Sequence, residues 1–351
     1  MPNMGRNLVA LAVLAGSFAS IFGQTEEIPS FRAETQLALT GFHVVKGTQY
    51  VTGLSASDFQ LLVDGRPHAM ASFEEGGRLN APLEIVLVFD TSGSVREPGL
   101  LDEKLFRDNL LAGLPNVSLS IYRFGGHPLA DHLTRVCGPT KDPAALRKAF
   151  QTAFSRGPGE AAFDLGHPGK DSLVYEAITE AINDRARDSQ RVARMMLVVS
   201  DGLPGVEPNP GMAVGAALRM GIPIYPLLLG HRDRVTTFNM QLVAPPDPGE
   251  SAKIAEARAR YRQKTFDERE SQAGLFVGVA SQTGGRAFDP PELNAATAKD
   301  ILGFLVGEVR KEYVVGFSPE PGREASNHRI DIRLIGNNGA RIIGGKRFAR
   351  Y

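Results

Sequence analysis

Glu84-Ile85-Val86-Leu87-Val88-Phe89-Asp90-Thr91-Ser92-Gly93-Ser94 decides the fold. A near-continuous apolar run ending in an aspartate and a Gly-containing loop reads as a strand buried on both faces, because helices cover both sides of a parallel sheet. Arg194-Met195-Met196-Leu197-Val198-Val199-Ser200 repeats the pattern and ends in Asp201-Gly202, and Ile222 to Leu229 is a third such run. Val117 to Tyr122 alternates, as an edge or half-buried strand would. Helices lie between these runs. Leu101, Leu105, Asn109 and Leu110 recur at helical spacing; Asp142-Pro143 is an N-cap with Pro at the first helical position, opening Ala144 to Phe154. Leu173 to Arg187 carries Val174, Ile178 and Ile182 at i, i+4 and i+8. Strands alternating with helices predict an α/β fold with a doubly wound, mostly parallel sheet.

The chemistry falls at the strand ends. Asp90, Ser92 and Ser94, at i, i+2 and i+4 on one loop, can turn their oxygens to one point at the carboxyl edge of the sheet, where open α/β sheets bind ligands. Asp201 supplies a second carboxylate at the same edge. Oxygen-only ligands suit a hard divalent cation: Mg²⁺ first, with Mn²⁺ or Ca²⁺ as alternatives. The same residues also suit a hydrogen-bonded strand-to-helix turn without metal.

These two stretches resemble the von Willebrand factor A domain, a Rossmann-like fold. Asp90-Thr91-Ser92-Gly93-Ser94 is similar to its metal-ion-dependent adhesion site, Asp-x-Ser-x-Ser, and Leu197 to Gly202 to its strand ending in Asp-Gly. The resemblance implies a metal that holds an acidic group of a protein ligand. It also implies a third element, a threonine before a helix; Ser172, in Lys170-Asp171-Ser172-Leu173-Val174-Tyr175, stands at that position without the family's flanking glycines. Ser172 equally suits an N-cap. Val51-Thr52-Gly53-Leu54, Asp58-Phe59 and Val63 to Pro67, with Ala280 to Phe288 and Tyr313 to Pro319, resemble the flanks of a bacterial, acidobacterial-type exported subgroup. The implied metal ligands are Asp90, Ser92, Ser94, Ser172 and Asp201.

The 351 residues carry 39 Lys+Arg against 39 Asp+Glu, 42% hydrophobic and 22% charged residues, ordinary globular usage. Zero net charge argues against a nucleic-acid binder, and the lack of Trp against an aromatic base-stacking platform. A single cysteine, Cys137, excludes an internal disulfide framework and suggests burial in the core. Arg6 followed by the apolar run Leu8 to Phe22 reads as a secretory signal peptide, 1–23; cleavage after Ala19 or an uncleaved anchor are the alternatives. No later run is long enough to span a membrane, so the exported chain is expected in the periplasm, at the surface or in the medium.

The expected domains are a β-rich segment over 24–80, the A domain over 81–311 with an insertion at about 231–272, and a β-rich tail over 312–351. In the β-rich parts, Leu37, Leu39 and Phe42 to Val45 suggest one strand and Phe59 to Val63 another, with Asp64-Gly65 as a tight turn. Ser251 to Arg269 reads as a charged, solvent-facing helix, and Phe276 to Thr283 and Ala295 to Lys311 as helices flanking a short strand at Arg286 to Phe288. Glu312 to Phe317, His328 to Ile335 and Ala340 to Phe348 read as strands, the last two joined by a Gly336 to Gly339 turn. A serine nucleophile at Ser92 or Ser94 would need a base, and no histidine sits at a recognisable spacing. The Gly-x-Ser-x-Gly elbow and the ATP-binding Gly-x-x-x-x-Gly-Lys-Ser/Thr loop are absent. The expectation is therefore a binding module rather than an enzyme, its partner a protein or peptide with an exposed Asp or Glu. The alternatives are a metal-free envelope scaffold and a metal-dependent hydrolase.

Overall fold

The computed structural model describes residues 38–47, 49–76, 83–96, 100–113, 117–125, 133–155, 173–187, 193–204, 207–243, 251–318, 327–336, 339–344 and 348–350. The expected signal peptide, Leu37, His127, His132 and Lys170-Asp171-Ser172 lie outside them. In chain order, β1 (Ala38–Lys46), β2 (Gln49–Tyr50), β3 (Phe59–Val63), β4 (Arg66–His68) and β5 (Ser72–Glu75) come first. Then follow β6 (Leu83–Asp90), α1 (Gly93–Arg96), α2 (Glu103–Gly113), β7 (Val117–Phe124), β8 (Leu133–Thr140), α3 (Pro143–Phe154), α4 (Val174–Ala186) and β9 (Ala193–Ser200). The α/β part continues through α5 (Pro210–Met220), β10 (Ile224–Leu228), α6 (His231–Val243), α7 (Ala252–Thr283) and α8 (Ala295–Lys311). β11 (Tyr313–Phe317), β12 (Asn327–Leu334), β13 (Ala340–Gly344) and β14 (Phe348–Arg350) close the chain.

The central sheet has the order β10-β9-β6-β7-β8. β10, β9, β6 and β7 are parallel, and β8 runs antiparallel at one edge. Every residue of β6 is buried, and its alternate side chains serve different faces, as the period of two requires. Ile85, Leu87 and Phe89 pack with Phe106 of α2, Phe150 of α3 and Leu305 of α8. Val86 and Val88 pack with Ile178 of α4, Ala217 of α5 and Phe276 of α7. Two apolar layers on opposite faces make the sheet doubly wound, and each fully buried Val, Leu, Ile or Phe contributes about 1.5–3 kcal/mol. From β6 the chain builds first outward through β7 and β8, then returns past β6 to build β9 and β10. The order therefore reverses between β6 and β9, whose ends carry Asp90 and Asp201.

Some local expectations need correction. Val117 to Tyr122 lies in β7, an interior strand; its alternating serines meet buried polar groups, Ser118 donating to the Leu83 carbonyl and Ser120 to the Glu84 carboxylate. The edge is β8, which contains Pro139 and register shifts that blunt further pairing. Cys137 sits on this edge strand, half-buried, where desolvation pushes its thiol pKa up. The expected strand at Arg286 to Phe288 is a single parallel bridge from Phe288 to Leu227. A methyl on Gly285 would lie 1.9 Å from the Ile224 carbonyl oxygen, so a side chain is excluded where the chain crosses β10. The two helices expected over Ser251 to Arg269 and Phe276 to Thr283 are one 32-residue helix, α7, capped by Ser251, whose hydroxyl accepts from Ile254 N.

The flanking strands β1–β5 and β11–β14 share one core. β1 pairs antiparallel with β11 and β13, and β11 with β5. β12 pairs with β3 and β14, and β3 with β4 through the two-residue turn Asp64-Gly65, with φ of 52° and 80°. Phe42, Phe59, Tyr313, Phe317 and Ile330 pack together, with Phe42 and Phe59 rings edge-on at 5.1 Å. β12 and β13 belong to different sheets and do not pair as a hairpin; Asn337 and Asn338 of the expected turn lie outside the described residues.

Candidate functional site

The switch point between β6 and β9 organises the site. Asp90 closes β6 and is fully buried; Ser200 and Asp201 stand at the end of β9, equally buried. The loop after β6 is tied down by Thr91, whose backbone N–H and hydroxyl both donate to the Phe124 carbonyl at the end of β7 (2.8 and 2.9 Å). Gly125, with φ of 84°, lets that strand end come close: a Cβ there would lie 2.8 Å from Ser92 N. Ser92 and the exposed Ser94 then turn toward one another, hydroxyl to hydroxyl at 3.1 Å.

Asp90 Oδ1 accepts from Ser92 N (2.9 Å) and Oδ2 from the Ser200 hydroxyl (2.6 Å). Asp201 Oδ1 accepts from Leu203 N (3.1 Å), and the Ser94 hydroxyl also hydrogen-bonds the Asp201 carboxylate. Burial pushes the Asp90 carboxyl up to about 6; the charge of Asp201 pushes the same way, and the hydrogen bonds from Ser200 and Ser92 oppose it. Burial raises Asp201 as well, opposed by Leu203 N, Ser94 and the Arg234 and Arg269 charges. Two ionised carboxylates facing each other out of water are costly unless a cation joins them. Each carboxylate oxygen has more than one lone-pair direction. Asp90 and Asp201, with the hydroxyls of Ser92 and Ser94 beside them, therefore fit a hard divalent cation.

Four of the five residues singled out in the sequence, Asp90, Ser92, Ser94 and Asp201, come together. Ser172 and Asp171 lie outside the described residues. Next to them, α4 starts at Val174, with no side-chain cap from Leu173. Sequence reasoning missed Ser200 and Arg234. Ser200 had a signal, a hydroxyl ending an apolar run one residue before Asp201. Arg234 had none: it lies in α6, 33 positions along, and donates Nη2 to the Asp201 carbonyl (3.0 Å) and Nη1 to the Leu229 carbonyl (3.2 Å).

No protein-family model and no curated protein sequence matches the chain. Among solved structures, similar chains include an aerotolerance-related membrane protein from Bacteroides fragilis, at 18% identity and TM-score 0.38, covering 65% of this chain and 99% of that one. Another is the manganese-loaded TRAP protein of Plasmodium vivax, at 11% identity and TM-score 0.33, over 81% of this chain and 96% of that one. A third is proximal thread matrix protein 1 from the mussel byssus with a zinc-occupied MIDAS motif, at 11% identity and TM-score 0.38, over 68% of this chain and 47% of that one. Likenesses this distant carry neither a family assignment nor a function to this chain, and the manganese and zinc are those proteins' own. Among the described residues no helix is long and apolar enough to cross a membrane.

Proposed function

We propose that the chain is an exported binding module that recognises an acidic group of a protein or peptide through a divalent cation. Asp90, Ser92, Ser94, Asp201 and Ser172 would hold the cation, Mg²⁺ first. The observation that carries the reading is the convergence of two buried carboxyls, Asp90 and Asp201, with the Ser92 and Ser94 hydroxyls at the switch point. When bound, the cation supplies a Lewis-acid position for one further carboxylate. Asp90 and Asp201 cancel its charge, so no third protein carboxylate opposes the incoming one. Arg234 fixes the backbone that carries Asp201. The reading is binding rather than catalysis: the described partners of the two serine hydroxyls are each other and the Asp90 and Asp201 carboxylates that would engage the cation, and no histidine is among them. Export through cleavage of 1–23 belongs to the same proposal, and N-terminal sequencing of protein recovered outside the cytoplasm tests it.

Thermal denaturation of the purified chain with Mg²⁺ or Mn²⁺ tests the site. A hundredfold excess over Kd should add about 2.7 kcal/mol. Asp90→Ala should remove the shift, and Ser92→Ala should weaken it less, since water can replace one neutral ligand. An equal shift in wild type and Asp90→Ala places the metal elsewhere. A second reading, a metal-free scaffold, is favoured by one observation: both Asp90 oxygens already accept hydrogen bonds within the chain. It predicts no shift with either ion.

A further inference from the structure

The helices α6 and α7 form an arm rooted at the candidate site. At its base Arg234 holds the Asp201 carbonyl, His231 bridges Glu270 and Asp289 at 3.0 Å each, and Phe276 of α7 is fully buried against the sheet. Phe238 of α6 stacks on Phe266 of α7, centroids 3.8 Å apart and planes within 6°. From Glu270 the helix continues back to Ala252, about 27 Å at 1.5 Å per residue.

This outer stretch has a distinct surface. Partial burial recurs at Ala255, Arg258, Arg262 and Phe266, a helical stripe. Lys253, Arg260 and Lys264, spaced i, i+7 and i+11, form an exposed stripe. Ile254 and Tyr261, 60% and 72% exposed, stand on the next one. Between Ala252 and Phe266 five basic residues face one acid, Glu256, which pairs with Arg260; Lys264 lies 3.8 Å from Glu268. Of the seven large apolar side chains exposed among the described residues, Met240, Ile254, Tyr261 and Leu275 belong to these two helices.

We infer that the outer half of α7 docks an acidic segment of the protein whose carboxylate the metal site takes. The inference rests on the metal-bridge reading. Lys253, Arg260 and Lys264 run alongside the partner's Asp and Glu residues, and Ile254 and Tyr261 supply apolar contact. Charge complementarity selects this occupant: a segment bringing one carboxylate to the site gains from further acids along a basic helix and a basic segment is repelled. An anionic membrane fits less well, since the stripe of Ile254 and Tyr261 is interrupted by Ala257, Arg258 and Thr265, whereas an interfacial helix buries a continuous apolar face.

Fluorescein-labelled deca-glutamate is the probe, read by polarisation on the full chain with Mg²⁺. Reversing the stripe together (Lys253→Glu, Arg260→Glu, Lys264→Glu) should weaken binding at least roughly tenfold and flatten its salt dependence. The thermal shift with Mg²⁺ should stay as in wild type. The neutral set (Lys253→Gln, Arg260→Gln, Lys264→Gln) should give a smaller loss in the same direction. Unchanged affinity in both sets overturns the inference. Binding that falls on charge reversal but ignores chelator keeps the basic docking stripe and sinks the metal bridge. Co-sedimentation with phosphatidylcholine–phosphatidylglycerol vesicles, lost on reversal while peptide affinity stays unchanged, would assign the stripe to lipid and overturn the inference.

Discussion

Glu308→Gln should abolish a fall in stability that wild type shows between about pH 5 and about pH 9. Glu308 lies on α8, 3% exposed, its Oε1 buried without a hydrogen-bond partner among the described residues. His43 of β1 spends its Nε2 on the Glu308 carbonyl oxygen at 2.8 Å and lies 3.7 Å from Oε2. Burial, reinforced by the charge of Glu312 and opposed by Lys311, pushes the Glu308 carboxyl up from 4.5 to about 8. The folded-state pKa is raised, so the folded chain holds a proton that the unfolded chain gives up. The stabilisation is therefore fully present below pH 4.5 and is lost as pH rises through about 8. A shift of that size corresponds to roughly 3–5 kcal/mol across that window. Glutamine keeps the volume and removes the titration. Since the chain has no Trp, urea unfolding followed by far-UV circular dichroism is the assay. The variant should become more stable than wild type at the alkaline end. Parallel profiles, or a variant less stable at alkaline pH, would show that Glu308 is ionised in the fold and paired with a protonated His43, refuting the reasoning.

Gly125→Ala should cost roughly 1–3 kcal/mol, from a methyl forced to a φ of 84° and into the Ser92 backbone. It should also weaken the Mg²⁺ shift; a normal shift would mean that the approach of β7 does not set the loop. Glu84→Gln should cost roughly 3–5 kcal/mol, because the buried Arg185 and Arg194 guanidiniums, 2.8 and 2.9 Å from the Glu84 carboxylate, lose their counter-charge. Glu84 is at the opposite end of β6 from Asp90, so the folded variant should keep its metal response. Deleting 312–351 strips Tyr313, Phe317 and Ile330 from the core around Phe42 and Phe59. Limited proteolysis should then clear 38–76 while the α/β part stays intact.

The parts legible in the sequence are those whose physics is local. Buried parallel strands announce themselves because both faces must be apolar, so β6, β9 and β10 are found within two residues of their limits. The cap of α3 is equally readable, Asp142 accepting from Ala144 N and Ala145 N. β8 escapes because Leu133 to Thr140 has neither pattern: an edge strand carries a proline and polar residues to discourage pairing. The joining of β1–β5 with β11–β14 escapes for another reason. Their pairings span more than 230 positions, as between Glu75 and Tyr313 or Phe42 and Tyr313, and no local period encodes a partner that far away. At the site, Asp90, Ser92, Ser94 and Asp201 follow from strand ends, whereas Arg234 reaches Asp201 only through the tertiary path of α6.

Arg234 also bears on how the proposed site could hold two buried acids and still admit a partner's carboxylate. Its guanidinium offsets part of the Asp201 charge while Nη2 and Nη1 donate to the carbonyls of Asp201 and Leu229, with no ion pair to a carboxylate among the described residues. A cation placed to neutralise the acids directly, as a salt-bridge partner, would compete with a metal for their oxygens. Held on the backbone instead, it lowers the cost of ionising Asp201 without competing with the proposed cation for those oxygens. The same side chain ties the ends of β9 and β10 to the root of the α6–α7 arm. A displacement at the root of the arm therefore reaches the Asp201 backbone through one hydrogen bond, from Arg234 Nη2, and the end of β10 through the other, to the Leu229 carbonyl.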